Sequence, residues 1–232
     1  MPALFLHLRA PFAAFRGMQA GVYRSTMPTL PYSAAWGLVL NLAGVETRKP
    51  GEVATLIDPG APPLRLCVGV VTAPEVAVLY QQLHAYPVGN SSKGFAEKTF
   101  GAKYHIAPVR REVLVGLDVV VGVESADEAL LARVRRGLDG ELEGERYGLP
   151  FAGDNNLIFD RLEVLGSLIA SRWYTPVQSE ESPRRGSCRL TVGIDRADSS
   201  RTRTLLVAPL AQPKRMPPDD AWVWTPRDPT ST

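Results

Sequence analysis

The sequence predicts an α+β protein with a ferredoxin-like, split βαβ core, and three observations lead there. Residues 4–9 alternate with a period of two, with Leu4, Leu6 and Leu8 set against Phe5, His7 and Arg9. Two segments carry helical patterns, one apolar nearly all round and one amphipathic, and strand-like runs flank each of them. Twenty prolines and twenty glycines are scattered over 232 residues, which excludes a helical bundle or a repeat scaffold and requires many turns.

Taken in order, the first strand covers residues 4–9. A loop from Ala10 to Tyr32 follows, closed by Pro31, and Ser33 stands where it can cap a helix through Trp36, Leu38, Val39, Leu40 and Leu42 to about Gly44. Apolar residues ring this helix, so it should be buried. Pro50 to Pro63 is turn-rich, and Leu64 to Val71 alternates as a second strand. Val76 to Tyr86 fits either a strand or a helix. Val88 to Lys98 is polar, and Thr99 to Ile106 reads as a returning strand, so the stretch 76–106 is expected to be a protruding hairpin with a mobile tip.

Val113 to Glu124 is a valine-rich strand in which Gly116 and Asp118 mark a break or bulge. Ser125 should cap the amphipathic helix. Ala129, Leu130, Val134 and Leu138 face inward there, Arg133, Arg135, Arg136 and Asp139 stay solvated, and Gly140 ends it. The loop Tyr147 to Asn156 leads to a last core strand from Leu157 to Val164. This order of elements is the RRM-like arrangement used by RNA-recognition domains. Residues 1–165 thus form the core. A small β-rich extension, 166–211, has strand patterns at Ser187–Ile194 and Thr204–Val207, and 212–232 reads as an extended, proline-rich tail.

A hydrophobic content of 45% is enough for a proper core. The two cysteines, Cys67 and Cys188, give neither a disulfide framework nor zinc spacing. His7 and Arg9 interrupt the apolar amino terminus, and no run of eighteen apolar residues occurs, so a cytoplasmic protein with no membrane partner is expected. There is no phosphate-binding glycine loop, no histidine pair at metal spacing and no serine elbow, so no cofactor and no metal are expected. Asp154 and Asp160 lack the companions a metal site needs.

The net charge is only +2, but its distribution is uneven. The first forty-five residues hold Arg9, Arg16 and Arg24 and no carboxylate; Glu46 is the first. Such a segment offers cations to phosphate oxygens without competing carboxylates, which points to an RNA- or DNA-contacting loop. A bent single strand is held by cations on its phosphates and by aromatic faces or amide edges on its bases. Arg16, Tyr23 and Arg24 supply that mixture, and Asn155 adds an amide edge. Lys93, Lys98, Lys103, Arg110 and Arg111 outnumber Glu97 and Glu112 and make the hairpin basic. Tyr23 has a second reading, as a ring that anchors the loop through a paired hydroxyl. Trp36 belongs to the core, and Arg133, Arg135 and Arg136 are the solvated face of a helix. The later run Arg184, Arg185, Arg189, Arg196, Arg201 and Arg203 is partly balanced by acids and could face DNA or a neighbouring subunit.

The block Phe12-Ala-Ala-Phe15-Arg16-Gly, then Tyr23-Arg24-Ser-Thr, then Pro28 through Trp36-Gly37 to Gly44 resembles the amino-terminal region of the CRISPR-associated "Cas five" family. Tyr147-Gly-Leu-Pro-Phe-Ala-Gly153-Asp-Asn-Asn resembles its glycine-bearing loop ahead of the last core strand, and the likeness weakens beyond about residue 165. Within the family the sequence is most similar to members from type I systems of the Myxococcus-like and I-B-like kind. The resemblance implies a subunit of Cascade, the crRNA-guided surveillance complex. Such a subunit caps the five-prime handle of the crRNA, sits beside the first backbone subunit and extends a hairpin thumb along the RNA. The implied partners are the handle, the backbone subunit, the large subunit and, in the assembled complex, target DNA. The role is antiviral defence or transposon targeting, with transposition proteins as partners in the second case.

Some members, those of type I-C systems, cut precursor RNA with a tyrosine, a lysine and a histidine. Tyr23, Lys103 and His105 are the residues that would serve here, as base, cation and acid. Nothing in the sequence brings Tyr23 to the other two, and the resemblance falls on systems that carry a separate processing endonuclease. The expectation is therefore no catalysis. A metal-independent endoribonuclease and a protein-only assembly subunit are the two alternatives.

Overall fold

In the computed structural model, residues 1–17, 23–49, 56–84, 106–144, 146–178, 180, 182 and 184–230 are described. Leu4, Leu6 and Leu8 do line one buried face of the first strand, β1 (Ala3–Ala13), which runs four residues past the expected end. The order continues with β2 (Tyr23–Arg24), α1 (Tyr32–Leu42), β3 (Leu64–Thr72), β4 (Glu75–His84), β5 (Ile106–Glu124), α2 (Glu128–Asp139) and β6 (Arg161–Val164). The sheet order β6-β1-β5-β3 is antiparallel throughout, and α1 and α2 link its strands, which is the split βαβ topology. The α+β, ferredoxin-like expectation is met.

Local corrections have local causes. The α1 cap is Pro31 rather than Ser33: φ is −73° and ψ 155°, no side chain caps the helix, and Ser33 falls inside the first turn. α2 starts behind Asp127, whose Oδ1 accepts the Leu130 N–H at 3.1 Å, while Ser125 Oγ accepts the Asp127 N–H at 3.1 Å and so shapes the approach. Gly140 ends α2 in the left-handed region as expected. Asp127→Ala should cost about 1 kcal/mol in urea unfolding. Ser125→Ala should cost less, and the reverse order would return the cap to Ser125.

β4 settles the strand-or-helix ambiguity as strand. β3 and β4 both pair with β5, from Arg65↔Glu124 to His84↔Ile106, and the register slips only between Val70 and Thr72. One long hairpin results. Apart from Ile106, the returning strand expected at Thr99–Ile106 lies outside the described residues; β5 runs unbroken from Ile106 through the expected start at Val113, and Gly116 (φ 72°), where a break or bulge was expected, does not interrupt it. β4 pairs with β5 alone, and Val78 and Leu79, on its two faces, are both exposed, so β4 is the outer strand of the hairpin, whereas Val109, Arg111 and Val113 of β5 are buried. The expected tip, 88–98, lies outside the described residues.

The extension adds β7 (Arg172–Pro176), β8 (Cys188–Gly193), β9 (Arg203–Pro209) and β10 (Val223–Thr225). β7 joins β3 to β9, which pairs with β8, while β10 from the proline-rich tail pairs with β3. Of these, only β8 and β9 were visible as sequence patterns. The helices cover one face of the sheet, over Leu6, Leu66, Val119 and Val121. The other face is covered by the extension: Phe5, Cys67 and Val120 pack against Trp173, Ala221 and Trp222. Phe5 meets Trp173 edge-on at 6.3 Å and Trp222 at 6.0 Å between ring centres. No described helix is long and apolar enough to cross a membrane.

Candidate nucleic-acid interface

The loop after β1 is tied down at both ends. Thr26 Oγ1 accepts the Phe15 N–H at 2.9 Å, the Met27 N–H donates to Phe15 O at 2.7 Å, and Arg16 and Thr26 form a backbone bridge. Beyond residues 18–22, which are not described, β2 lies parallel to β5 with Tyr23 beside Arg110 and Arg24 beside Arg111. Glu112 fixes this segment with both oxygens. The Tyr23 hydroxyl donates to Oε1 at 2.7 Å and the Thr26 N–H to Oε2 at 3.0 Å.

A second loop closes from the other side. The Ala14 N–H donates to Ala152 O at 3.0 Å, and Phe151 bridges to Ile158. Gly153 has φ 85° and lies against Ala14, where a Cβ would strike the Ala14 carbonyl oxygen and the Phe15 ring, so this crossing requires glycine. Asp154 follows and meets Arg111 at 2.5 Å. Burial alone would raise the Asp154 carboxyl. The Asn156 N–H, the Arg111 guanidinium and the Arg16 charge outweigh it and hold the group below its ordinary value.

The expected residues therefore sort into distinct positions. Arg16 and Arg110 are exposed and Arg24 half-buried, and none pairs with a described carboxylate; Asn155 is exposed on the loop beside Asp154. Tyr23 and Arg110 share one face of the hairpin, whereas Arg24, in register with Arg111, lies on the opposite face, where Asp154, its neighbour Asn155 and the charge of Arg16 are found. Arg111 does not join the exposed surface: it is 7% exposed and committed to Asp154, so it positions the second loop. Arg9 is exposed but aligned with Asp118, eight residues along β5 from Arg110 or about 26 Å. Lys93, Lys98 and Lys103 lie outside the described residues.

Tyr23 combines its two readings. Its ring is 46% exposed while its hydroxyl is held by Glu112. Sequence reasoning missed Tyr80, which lies across the ladder from Arg110, 68% exposed, so that Arg110 has a tyrosine on each neighbouring strand. A strand assignment for Val76–Tyr86 would have placed Val76, Val78 and Tyr80 on one face. Glu112, counted only as an offsetting charge, is the anchor.

The arrangement offers cations for phosphates and two exposed rings for bases on a fixed root, and no cluster of metal-ligating side chains occurs among the described residues. The hydrogen bond to Glu112, with a smaller contribution from burial, raises the Tyr23 hydroxyl above the ordinary tyrosine value. Glu112→Gln should lower it. The check is the ultraviolet difference titration of Glu112→Gln against Glu112→Gln/Tyr23→Phe, and an unmoved Tyr23 signal would mean that the anchor bond is not formed in solution.

No protein-family model and no curated protein matches the chain. Solved structures do. A chain of a structure described as "CRISPR RNA-guided surveillance complex" superposes with a TM-score of 0.59 at 14% identity, over 91% of this chain and 90% of that one. A second, "Crystal structure of Cas protein", gives a TM-score of 0.49 at 16% identity over 92% and 96% of the two chains. At such identity the likeness is one of architecture: this chain has the fold of a chain from a CRISPR RNA-guided surveillance complex, over nine-tenths of its length.

Proposed function

We propose that the protein is a non-catalytic RNA-binding subunit of a type I CRISPR surveillance complex, and that it holds the five-prime handle of the crRNA at the root of its hairpin. The observation that carries the reading is Arg110, exposed between the exposed rings of Tyr23 and Tyr80, with Arg16 and Arg24 on the acid-free segment that leads to and from Tyr23 and none of the three arginines paired with a described carboxylate. The helix-free face of the sheet, on which RNA-recognition domains stack bases, is filled here around Trp173 and Trp222, which favours the hairpin root over that face as the seat of a strand. A modest net charge suits a subunit that shares one RNA with neighbours. Exposed Val76, Val78, Leu149, Phe151 and Ile158 give such neighbours apolar footing.

The absence of catalysis is part of the proposal. A tyrosine acting as a base must lose its proton, and Glu112 holds the Tyr23 proton on. The remaining members of a cutting set, Lys103 and His105, lie outside the described residues. The test is titration of the pure chain with the repeat RNA of its own locus, with and without chelator. Saturable, salt-dependent binding that prefers single strands and yields no product is expected. A specific cut abolished by His105→Ala would establish the endoribonuclease instead, and no binding at low salt would leave a protein-only assembly subunit.

A further inference from the structure

A second basic cavity, of about 380 Å³, lies between the turn after α1, the β8–β9 turn and the tail, and shares no residue with the hairpin root. Five cations reach it: Lys49, Arg196, Arg201, Arg203 and Arg227. They come from three segments far apart in the chain, so they are not one solvated run. Arg203 donates through Nη2 to Pro226 O, and Arg227 to Pro59 O at 2.6 Å. Carbonyl partners hold a guanidinium in place without neutralising it, and each group keeps further N–H donors. Arg196 is exposed and pairs with no described carboxylate, whereas Arg201 shares its Nε with Asp198 at 3.2 Å.

The described carboxylates of the lining accept backbone N–H groups and keep their charge. Asp58 Oδ1 takes the Gly60 N–H at 2.8 Å, and Asp195 Oδ1 takes the Ala197 and Asp198 N–H groups, both at 2.9 Å. Asp228 offsets part of the Arg203 charge. Among the described lining residues the cations outnumber the acids by five to two, and Asp198 and Asp228 just outside offset part of that excess. The remaining wall is apolar, with Leu56, Ile57, Pro59 and Ile194. A cationic rim around an apolar wall, at a volume within the range of small-ligand sites, suits a ligand with phosphate at one end and a sugar and base at the other. An acidic peptide would use the rim and leave the wall in water.

We infer that this cavity binds a nucleotide, either free or as one unit of a nucleic-acid strand, at a site separate from the hairpin root. The inference does not depend on the handle-binding reading. It is tested on the full chain carrying Arg16→Glu and Arg24→Glu, which silences the first surface. Arginine modification by phenylglyoxal, read by mass spectrometry, is compared without ligand and with ADP, a fifteen-residue oligothymidylate or polyglutamate.

Protection of Arg196 and Arg201 by several-fold with ADP identifies a free-nucleotide site, and protection with the oligomer alone identifies a strand site. Arg196→Glu should weaken the protecting ligand about tenfold, and Arg201→Gln, which adds no negative charge, should weaken it less. Equal protection by polyglutamate would overturn the inference in favour of an acidic protein surface. No protection by any of the three would overturn it outright.

Discussion

Trp173→Ala should cost about 3–5 kcal/mol in urea unfolding and lower the melting temperature by roughly 10 °C. The indole is fully buried, its Nε1–H donates to Lys214 O at 2.8 Å, and its ring lies over Gly69 of β3. A Cβ at Gly69 would stand 2.7 Å from that ring. Removing the indole therefore leaves a cavity at the seam between the extension and the core sheet and takes one of two donors from the Lys214 carbonyl, which keeps the Ser171 N–H at 3.0 Å. The half-buried Trp222 on the same face should cost less when cut to alanine. The strongest companion is Gly122→Val, because a Cβ there would stand 2.5 Å from Cys67 Sγ and 2.8 Å from both Phe5 and Trp222. A loss below 1 kcal/mol for Trp173→Ala would mean that the extension merely lies beside the sheet.

That seam was largely invisible in the sequence. Alternation at Leu4, Leu6 and Leu8 is a local signal with one structural meaning, and the valines of β5 are another, so the core topology could be read from strand and helix order alone. β7 and β10 are short, and each pairs with β3, about a hundred residues or more away, Arg172 beside Val70 and Val223 beside Leu66, while β7 also pairs with β9 from Tyr174 to Pro209. Local patterns carry no information about such pairings. The second apolar cluster went unseen for the same reason, since Phe5, Trp173 and Trp222 are ordinary aromatic residues until the fold stacks them.

The candidate site divides along similar lines. An acid-free front end was legible because it is a property of consecutive residues. Arg110 and Arg111 could not be told apart, because adjacent residues on a strand point to opposite faces and only tertiary structure says which face is buried. One stands exposed between two tyrosines and the other is held by Asp154. Glu112 shows the opposite failure: simple charge counting set it against the lysines, whereas its two oxygens are what hold Tyr23 and Thr26 in place.

Arg16→Glu combined with Arg24→Glu should weaken handle RNA about 100-fold at moderate salt, the largest effect on binding expected from any pair in the chain. Each substitution removes a cation and places an anion on a segment that contains no other carboxylate before Glu46. If each arginine neutralises one phosphate of a single strand, the slope of log affinity against log salt should also fall by about 1.4. Folding should survive, because neither guanidinium pairs with a described carboxylate and the loop is tied by backbone groups and Glu112. Arg111→Gln is the informative contrast. It also removes a cation, but one that sits under the surface against Asp154, so it should loosen the Gly153 loop and lower stability while leaving the salt slope nearly unchanged. Stability gained through Asp154, whose carboxyl is held low, is present above its unfolded value and is lost as pH falls through the folded one; Arg111→Gln should shrink that acid-side loss. Equal slopes for Arg16→Glu/Arg24→Glu and the unmodified chain would remove these two arginines from the RNA path.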